Sequence, residues 1–238
     1  MISNLTIYCP YYNSGTQLKY ILDKYSNMEL STRQKLHIFI VDDGSLEVRA
    51  LDIINSLDKL CSKLNIILYR IDIDIPWNMP EANNLAFEKI LTDYVIRCDI
   101  DHFFEEIDLK KIFELDVKDH IMYNFDRKGI YYQSNDQPSL QAPKNIYLIN
   151  KQSYWKTGGY NEYFSGHYGD DKDFIPRSRT ILDYKILSDV SIYVLINGHT
   201  RKLKRDLSET LEKLKNKDRP FLTFLHRDKY IKQYENLI

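Results

Sequence analysis

The sequence lacks long apolar segments and any marked net charge. Its 238 residues include 33 Lys and Arg against 34 Asp and Glu, a net charge of -1. Without a basic excess there is no general attraction for nucleic acid, so we expect no nucleic-acid partner. No apolar run approaches the roughly 20 residues that cross a bilayer. The first residues also lack the basic and apolar regions of a signal peptide. We therefore expect a soluble, cytoplasmic protein.

Cysteine is scarce as well. The three cysteines, Cys9, Cys61 and Cys98, show no Cys-x-x-Cys spacing, and one would remain if two formed a disulfide. This pattern favours a reduced setting over a secreted disulfide framework. Cys9 and Cys98 each end an apolar run, so we predict buried core residues rather than nucleophiles.

Short apolar runs alternate with helical patterns over the first hundred residues. Strands are predicted at residues 5–9, 36–41, 65–69 and 94–98, and helices at 16–25, 49–64 and 80–91. This alternation predicts an α/β fold with a doubly wound, mostly parallel twisted sheet flanked by helices. Further on we predict a hairpin of strands 120–124 and 130–133 around a turn at 126–129, and strands at 146–150 and 191–196.

The length suits one α/β domain, which we place at residues 1–200. Residues 201–238 hold eleven Lys and Arg against six Asp and Glu and are helix-prone. They predict a basic helical C-terminal extension. Such helices serve membrane surfaces as well as protein partners, so peripheral contact with the inner face of a membrane is one expectation for this segment.

Three acidic stretches carry the chemistry of the sequence. Asp42-Asp43-Gly44-Ser45 and Asp99-Ile100-Asp101 each follow a predicted strand, where ligands bind in open α/β sheets. Asp99 and Asp101 share one side of an extended chain and suit a hard divalent cation. The third stretch is Gly-Asp-Asp-Lys-Asp at 169–173.

Each stretch also has a simpler interpretation. An Asp-Gly turn is common in proteins of any function. Asp-x-Asp is a weak motif that recurs at residues 72–74, although without a strand before it. Acidic residues at 170–173 would also complement the dipole at the start of a helix.

The order of these stretches resembles the GT-A fold nucleotide-sugar glycosyltransferases of family 2, over nearly the whole chain. Gly-Gly-Tyr-Asn-Glu at 158–162, the third acidic stretch and Asn-Gly-His-Thr-Arg-Lys at 197–202 are similar to motifs of the β-1,4-galactosyltransferase-like branch. The resemblance implies a GT-A fold and a metal-dependent, inverting transfer of a hexose or N-acetylhexosamine. It implies a UDP-sugar donor, a glycan or glycolipid acceptor, and Mn²⁺ or Mg²⁺ as cofactor.

The resemblance also implies roles for individual residues. Asp171 falls on the position of the catalytic base and Asp170 on the acid before it. The implied metal ligands are Asp99, Asp101 and His199, with His226 as competitor for the third place and His102 and His167 ranked lower. The residues implied to hold the nucleotide sugar are Pro10, Tyr11, Tyr12, Asn13, Asp42, Asp43, Asn83, Asn84, Asp99, Asp101 and Arg201. Those implied to line the acceptor site are His167, Tyr168 and Asp173.

The chain departs from the family pattern at the predicted helix of residues 80–91. Asn83 stands where the family has arginine and Ala86 where it has glycine, so a cation is missing near the donor. Trp77 lies just before this helix, and its ring would either form the floor of the nucleotide site or fill the core.

Two other functions remain open from the sequence. One is a non-catalytic module that binds a sugar nucleotide or glycan. The presence of Asp99, Asp101, Asp171 and His199 argues against it. The other is a sugar nucleotidyltransferase, which would carry a glycine-rich, basic phosphate loop after its first strand. Residues 10–15 contain neither feature.

Overall fold

A mixed sheet organises the part of the chain that the computed structural model describes. The described residues are 1–75, 77–130, 143–166, 168–195 and 230–235, with backbone only at 129–130 and 230–235. The strands are β1 (Leu5–Tyr11), β2 (Leu36–Asp43), β3 (Asn65–Ile71), β4 (Tyr94–Arg97), β5 (His102–Phe103), β6 (Ile121–Ile130), β7 (Tyr147–Asn150), β8 (Asp183–Leu195) and β9 (Tyr230–Glu235). The helices are α1 (Gly15–Ser26), α2 (Leu30–Arg33), α3 (Ala50–Ser56), α4 (Asp58–Cys61), α5 (Met79–Lys89), α6 (Glu106–Glu114), α7 (Lys151–Lys156) and α8 (Asp170–Ser178), with a 3-10 turn at Glu162–Phe164.

The strands of the described residues are ordered β5-β8-β6-β7-β4-β1-β2-β3-β9. β4, β1, β2 and β3 run parallel, which confirms the predicted α/β unit. β1 is buried along its whole length, as apolar strands covered on both faces must be. β7 joins β4 antiparallel, so the sheet becomes mixed beyond the parallel strands. The carboxyl ends of β1, β2 and β4 therefore meet at one edge.

Two hydrophobic clusters cover the faces of the sheet. Ile7 belongs to one and Tyr8 to the other, because side chains alternate along a strand. In the second cluster the rings of Phe87 and Tyr154 stack at 3.6 Å between centroids, joining α5 to α7. Tyr160 and Phe174 stack at 4.1 Å and bring α8 onto the same face. The three cysteines are buried and free, as predicted.

The predicted hairpin at 120–133 is wrong at its turn. β6 runs without a break through Asp126–Gly129, which pair in parallel with Ser191–Val194 of β8. A register shift between Phe125 and Asp126 precedes these turn-like residues, and it leaves three residues of β8 without a partner in β6. A long partner strand satisfies their backbone groups, so the local turn preference is overridden. The predicted helix 49–64 is also divided, into α3 and α4 at Leu57.

The helical prediction for residues 201–238 fails at its end. Tyr230–Glu235 form β9, which pairs antiparallel with β3. An edge strand such as β3 offers a row of unpaired backbone groups, and β9 satisfies them. The rest of the extension lies outside the described residues, and the boundary at residue 200 stays a prediction. None of the described helices has the length and apolar character needed to cross a membrane.

Candidate active site

The turn after β2 separates the two neighbouring aspartates into different roles. The Asp42 carboxylate accepts from the backbone N–H of Ser45 and of Ala50, each at 2.9 Å, and from Arg70 Nη1 at 3.2 Å. Only 1% of Asp42 is exposed, so it holds the turn and the start of α3. Gly44 has φ +70°, and a Cβ there would lie 2.7 Å from the Asp74 Cα. The turn therefore needs glycine.

Asp43 is the aspartate with capacity left for a ligand. It is 5% exposed, and its Oδ1 accepts no hydrogen bond from any described residue. Burial raises the pKa of Asp43 to about 8, a hydrogen bond from Asn78 opposes that rise, and nearby Glu81 adds to it. Glu81 and Asn78 are themselves buried at the start of α5 and are joined by a 2.7 Å hydrogen bond. Sequence reasoning missed both residues.

The loop after β1 closes over this turn. Asn13 accepts from the N–H of Val48 at 2.9 Å and donates its own N–H to Ser45 Oγ at 2.9 Å. Tyr11 is buried and donates to the carbonyl of Val48. Tyr12 is half-buried and donates to Asp74 Oδ2 at 3.1 Å. Pro10 is buried in β1, so Tyr12 and Asn13 are the members of this predicted segment that reach the surface.

Asp99, directly after β4, is held by protein groups on both carboxylate oxygens. Arg97 Nη1 donates to Oδ1, and Asn145 Nδ2 donates to Oδ2 at 2.6 Å. Arg97 is 2% exposed and also donates from Nη1 to the carbonyl of Asn145 at 2.9 Å. Asp99 therefore has less free capacity for a cation than the sequence motif implies.

Asp101 and His102 form the more open half of this motif. His102 Nδ1 lies 2.6 Å from Asp101 Oδ1, and the buried Nε2 has no partner among the described residues. Burial disfavours the charged form of Asp101, but the hydrogen bond with His102 and the charge of Arg127 hold its pKa below its usual value. Ligand atoms of Asp99, Asp101 and His102 lie within 4.8 Å of one another. Two carboxylates and an imidazole suit Mn²⁺, and the carboxylates also suit Mg²⁺.

The two asparagines of α5 are fully buried and differ in their contacts. Asn84 donates to Glu162 Oε1 and to the carbonyl of Tyr160, and its Oδ1 accepts from Tyr160 N–H and Tyr154 Oη. Its amide is thus engaged in holding the turn at 158–162 rather than brought to the site. Asn83 Oδ1 accepts from Arg97 Nε at 3.4 Å, and its Nδ2 has no described partner.

The third acidic stretch forms the start of α8. Asp170 is 6% exposed and accepts from the Trp77 indole Nε1 at 3.1 Å. Asp171 is half-buried, and its Oδ1 has no partner in the described structure. Asp173 accepts from Arg177 Nη2 at 2.9 Å, which ties α8 to the carbonyl of Gly159. All three acids also complement the helix dipole, as the simpler interpretation expected.

Arg97, which pairs with Asp99, also opposes the rise of the Asp170 pKa, so the second and third acidic stretches lie on either side of one guanidinium group. Tyr168 lies beside Trp77, with 5.1 Å between ring centroids. His167, His199, Arg201 and His226 lie outside the described residues. His102 follows the Asp-x-Asp motif directly and lies with Asp99 and Asp101, whereas the sequence analysis ranked it below His199 and His226 as a ligand. No sequence signal identified Arg97 or Asn145.

Comparisons with known proteins agree with this architecture. The sequence model described as Glycosyl transferase family 2 matches residues 6–183. Crystal structures of S. aureus TarS are similar: TarS 1-349 in complex with UDP-GlcNAc has a TM-score of 0.69 at 14% identity, over 88% of this chain and 64% of that one. The whole TarS chain has a TM-score of 0.64 at 15% identity, over 81% and 37%.

A mannosyltransferase, PcManGT from Pyrobaculum calidifontis in complex with GDP-Man and Mn²⁺, has a TM-score of 0.61 at 14% identity, over 84% of this chain and 58% of that one. This chain thus spans less than two thirds of the length of these proteins. No curated protein sequence matches it significantly.

Proposed function

Because this chain belongs to glycosyl transferase family 2 and has the GT-A fold, we propose that it transfers a hexose or N-acetylhexosamine from a UDP-sugar to a glycan or lipid-linked oligosaccharide. The transfer inverts the anomeric centre. The observation that carries the proposal is the set of carboxyl groups after β2, after β4 and at the start of α8, which come from separate chain segments. Each group has the chemistry that one part of the reaction needs.

The nucleotide is proposed to bind over the turns that follow β1 and β2. Asp43 is the acid with an unengaged oxygen there, and Tyr12 and Asn13 border it. A carboxyl oxygen accepts from the N–H of a base or from ribose hydroxyls. UDP is the proposed nucleotide because TarS is known in complex with UDP and UDP-GlcNAc. GDP-Man in PcManGT makes guanosine donors the natural comparison in any assay.

A divalent cation is proposed to bind at Asp101 and His102, with Asp99 beside them. The fit rests on the three ligand atoms within 4.8 Å and on the unpartnered, buried His102 Nε2. Mn²⁺ or Mg²⁺ bound there would neutralise the charge that develops on the departing diphosphate. His199 remains a proposed further ligand from outside the described residues.

Asp171 is the proposed general base. It lies in the first turn of α8 and has an oxygen to which no described residue donates. A carboxylate in that position takes the proton from the acceptor hydroxyl as its oxygen attacks the anomeric carbon. Attack from the face opposite the diphosphate inverts the centre. Tyr168, partly exposed beside the helix start and with Lys172 over its ring, lines the proposed acceptor site.

Release of nucleotide from a panel of UDP- and GDP-sugars tests this proposal. We expect Mn²⁺-dependent release of UDP that stops with excess EDTA and falls to background in Asp101→Ala. Asp116→Ala is the matched control, since Asp116 is an exposed acid paired only with Lys118 on the surface. Transfer that is unaffected by EDTA would contradict the metal site. Tight UDP binding without turnover on any acceptor would support a non-catalytic binding module instead.

A further inference from the structure

Trp77 connects two parts of the site that the sequence treats separately. It lies in the segment between β3 and α5, on the donor side, while its indole N–H reaches Asp170 at the start of α8. Its carbonyl accepts from Gly166 N–H at 3.3 Å, and its ring packs on Tyr168. A single residue thus contacts the loop before α8 and the first residue of that helix.

The backbone of Trp77 supports a specific role. Its φ is +58°, a conformation that bulky side chains rarely adopt and that persists only where the surroundings impose it. Filling the core does not require that conformation. The three contacts to the loop and to α8 account for it, because they fix the ring, the indole N–H and the carbonyl of one residue together.

Asp170 is the most consequential of these contacts because of its surroundings. Burial raises the pKa of Asp170 to about 6; the Trp77 N–H opposes that rise, Asp171 adds to it, and Arg97 opposes it. Tyr147 and Tyr160, both buried, also face it from β7 and from the turn at 158–162. Trp77 is the one uncharged side chain among these groups that donates directly to the carboxylate.

We propose that Trp77 is a positioning residue, whose indole N–H holds the Asp170 carboxylate in place and so links the donor-side segment to the start of α8. The inference rests on the proposed function for the role of neighbouring Asp171 as base. An anion held beside Asp171 favours the arrival of a proton at this pair of carboxyl groups. Trp77 contributes no atom to the reaction itself.

The chain offers a direct spectroscopic test, because it contains two tryptophans, Trp77 and Trp155. In Trp155→Phe all indole emission comes from Trp77. A protonated carboxyl group quenches indole emission more strongly than a carboxylate does. Emission of this variant should therefore change with a midpoint near pH 6, and the change should vanish when Asp170→Asn is added.

A kinetic test separates positioning from packing. Trp77→Phe keeps a ring against Tyr168 but loses the N–H, so the pKa of Asp170 should rise further above its usual value. The acidic limb of the kcat/KM profile should move to higher pH by about one unit, roughly a fivefold loss near pH 6 that approaches tenfold below about pH 5 and recovers by about pH 8.5. Trp155→Phe makes the same substitution on α7 and should keep the wild-type profile.

The outcomes are separable. If Trp77→Phe lost the same factor in kcat/KM at every pH, Trp77 would only pack against its neighbours, and the proposal would be overturned. So would an emission transition that persists after Asp170→Asn, or the lack of any transition in Trp155→Phe. A transition that depends on Asp170 in a protein without sugar transfer would keep the Trp77–Asp170 link and refute only the proposed function.

Discussion

At the scale of single residues, Arg97 places a cation next to position 83, where the chain departs from the family pattern. The resemblance implies an arginine there, on α5, and the chain has Asn83. Arg97 enters the same region from β4, donating from Nε to Asn83 and from Nη1 to Asp99. A cation therefore lies beside Asn83, although it comes from β4 rather than from α5 and is engaged with Asp99.

Breaking this buried pair should be costly for stability. Arg97→Met leaves Asp99 without its cation in a site where Arg97 is almost fully buried, a change worth about 3–5 kcal/mol. At roughly 2–4 °C per kcal/mol for a chain of this size, the melting temperature should fall by on the order of 10 °C. When Asp99→Asn is combined with Arg97→Met, part of the lost melting temperature should be recovered. Thermal unfolding without metal measures both variants.

Arg179→Met provides the control for that series. Arg179 is exposed and lies over the Tyr184 ring at 4.0 Å, so its loss should cost at most about 1 kcal/mol. Simple additivity of the Arg97 and Asp99 substitutions would contradict the paired arrangement, because interacting residues give a non-additive double-mutant cycle.

Asp43 should make stability depend on pH. Its pKa of about 8 in the folded state lies far above the ordinary value of an aspartate, so the folded protein retains a proton that the unfolded chain releases. Stability from this group is fully present below the unfolded pKa and is lost as pH rises towards about 8, by about 1.4 kcal/mol per unit. Asp43→Asn should therefore gain stability over wild type from pH 5 to pH 8, measured by urea unfolding.

Asp42→Asn is the matched comparison one residue away. Its carboxylate accepts three hydrogen bonds that hold the turn, so the substitution should destabilise the protein throughout this pH range. If Asp43→Asn behaved in the same way as Asp42→Asn, the separation of their roles would be wrong.

Asp171→Asn should separate binding from chemistry. Loss of a general base lowers turnover by about 10²–10⁴-fold, while UDP affinity stays near that of wild type because the substitution leaves the turns after β1 and β2 intact. Steady-state kinetics and calorimetric titration with UDP measure the two effects. Asp173→Asn alters an acid of the same helix turn that pairs with Arg177 and should retain far more turnover. Equal losses of turnover in the two variants would contradict the assignment of Asp171 as the general base.

At the scale of elements, the sequence predicted well where local signals and tertiary structure agree. β1 to β4 are apolar runs buried on both faces of a parallel sheet, so composition alone marks them. Residues 126–129 carry turn-like chemistry yet lie inside β6, because their partner, β8, is more than sixty residues away in the sequence. β9 illustrates the same limit: its strand pairing with β3 depends on an edge that no local pattern reveals.

In the candidate site, too, prediction succeeded where a local signal marks the residue. The three acidic stretches could be predicted because each follows or begins an element and resembles a family motif. Arg97 and Asn145 could not, because they matter only through contacts with Asp99 that the fold creates. Trp77 was predicted to lie under the nucleotide or to fill the core, and neither alternative includes its bond to Asp170, which spans 93 positions of the chain.

Truncation tests β9 as an element of the sheet. A chain that ends at Lys229 loses Tyr230–Glu235 and leaves the edge of β3 unpaired. We expect a lower melting temperature and concentration-dependent association, measured by light scattering, since open strand edges pair with other chains. A chain that ends at Glu235 keeps β9 and is the control. Equal behaviour of the two would restore the prediction of an extension independent of the sheet.

At the scale of the whole molecule, the proposed site draws on β1, β2, β4 and α8, and ligands that bridge them should stabilise the entire fold. The stacked Phe87–Tyr154 and Tyr160–Phe174 pairs join α5, α7 and α8 into one packed face. All four rings belong to one hydrophobic cluster. A nucleotide bound over Asp43 and a cation at Asp101 would act on the same cooperative unit.

Ligand-dependent unfolding measures this coupling. At a UDP concentration of about 100 times its Kd, with Mn²⁺, the folded state should gain about 2.7 kcal/mol, or roughly 5–10 °C in melting temperature. UDP with EDTA should give a smaller shift, because the diphosphate then lacks its counter-charge. Asp101→Ala should lose the difference between the two conditions while keeping the shift that UDP produces alone. A larger shift with GDP than with UDP would reassign the nucleotide, and equal shifts with and without metal would place the cation outside the donor complex.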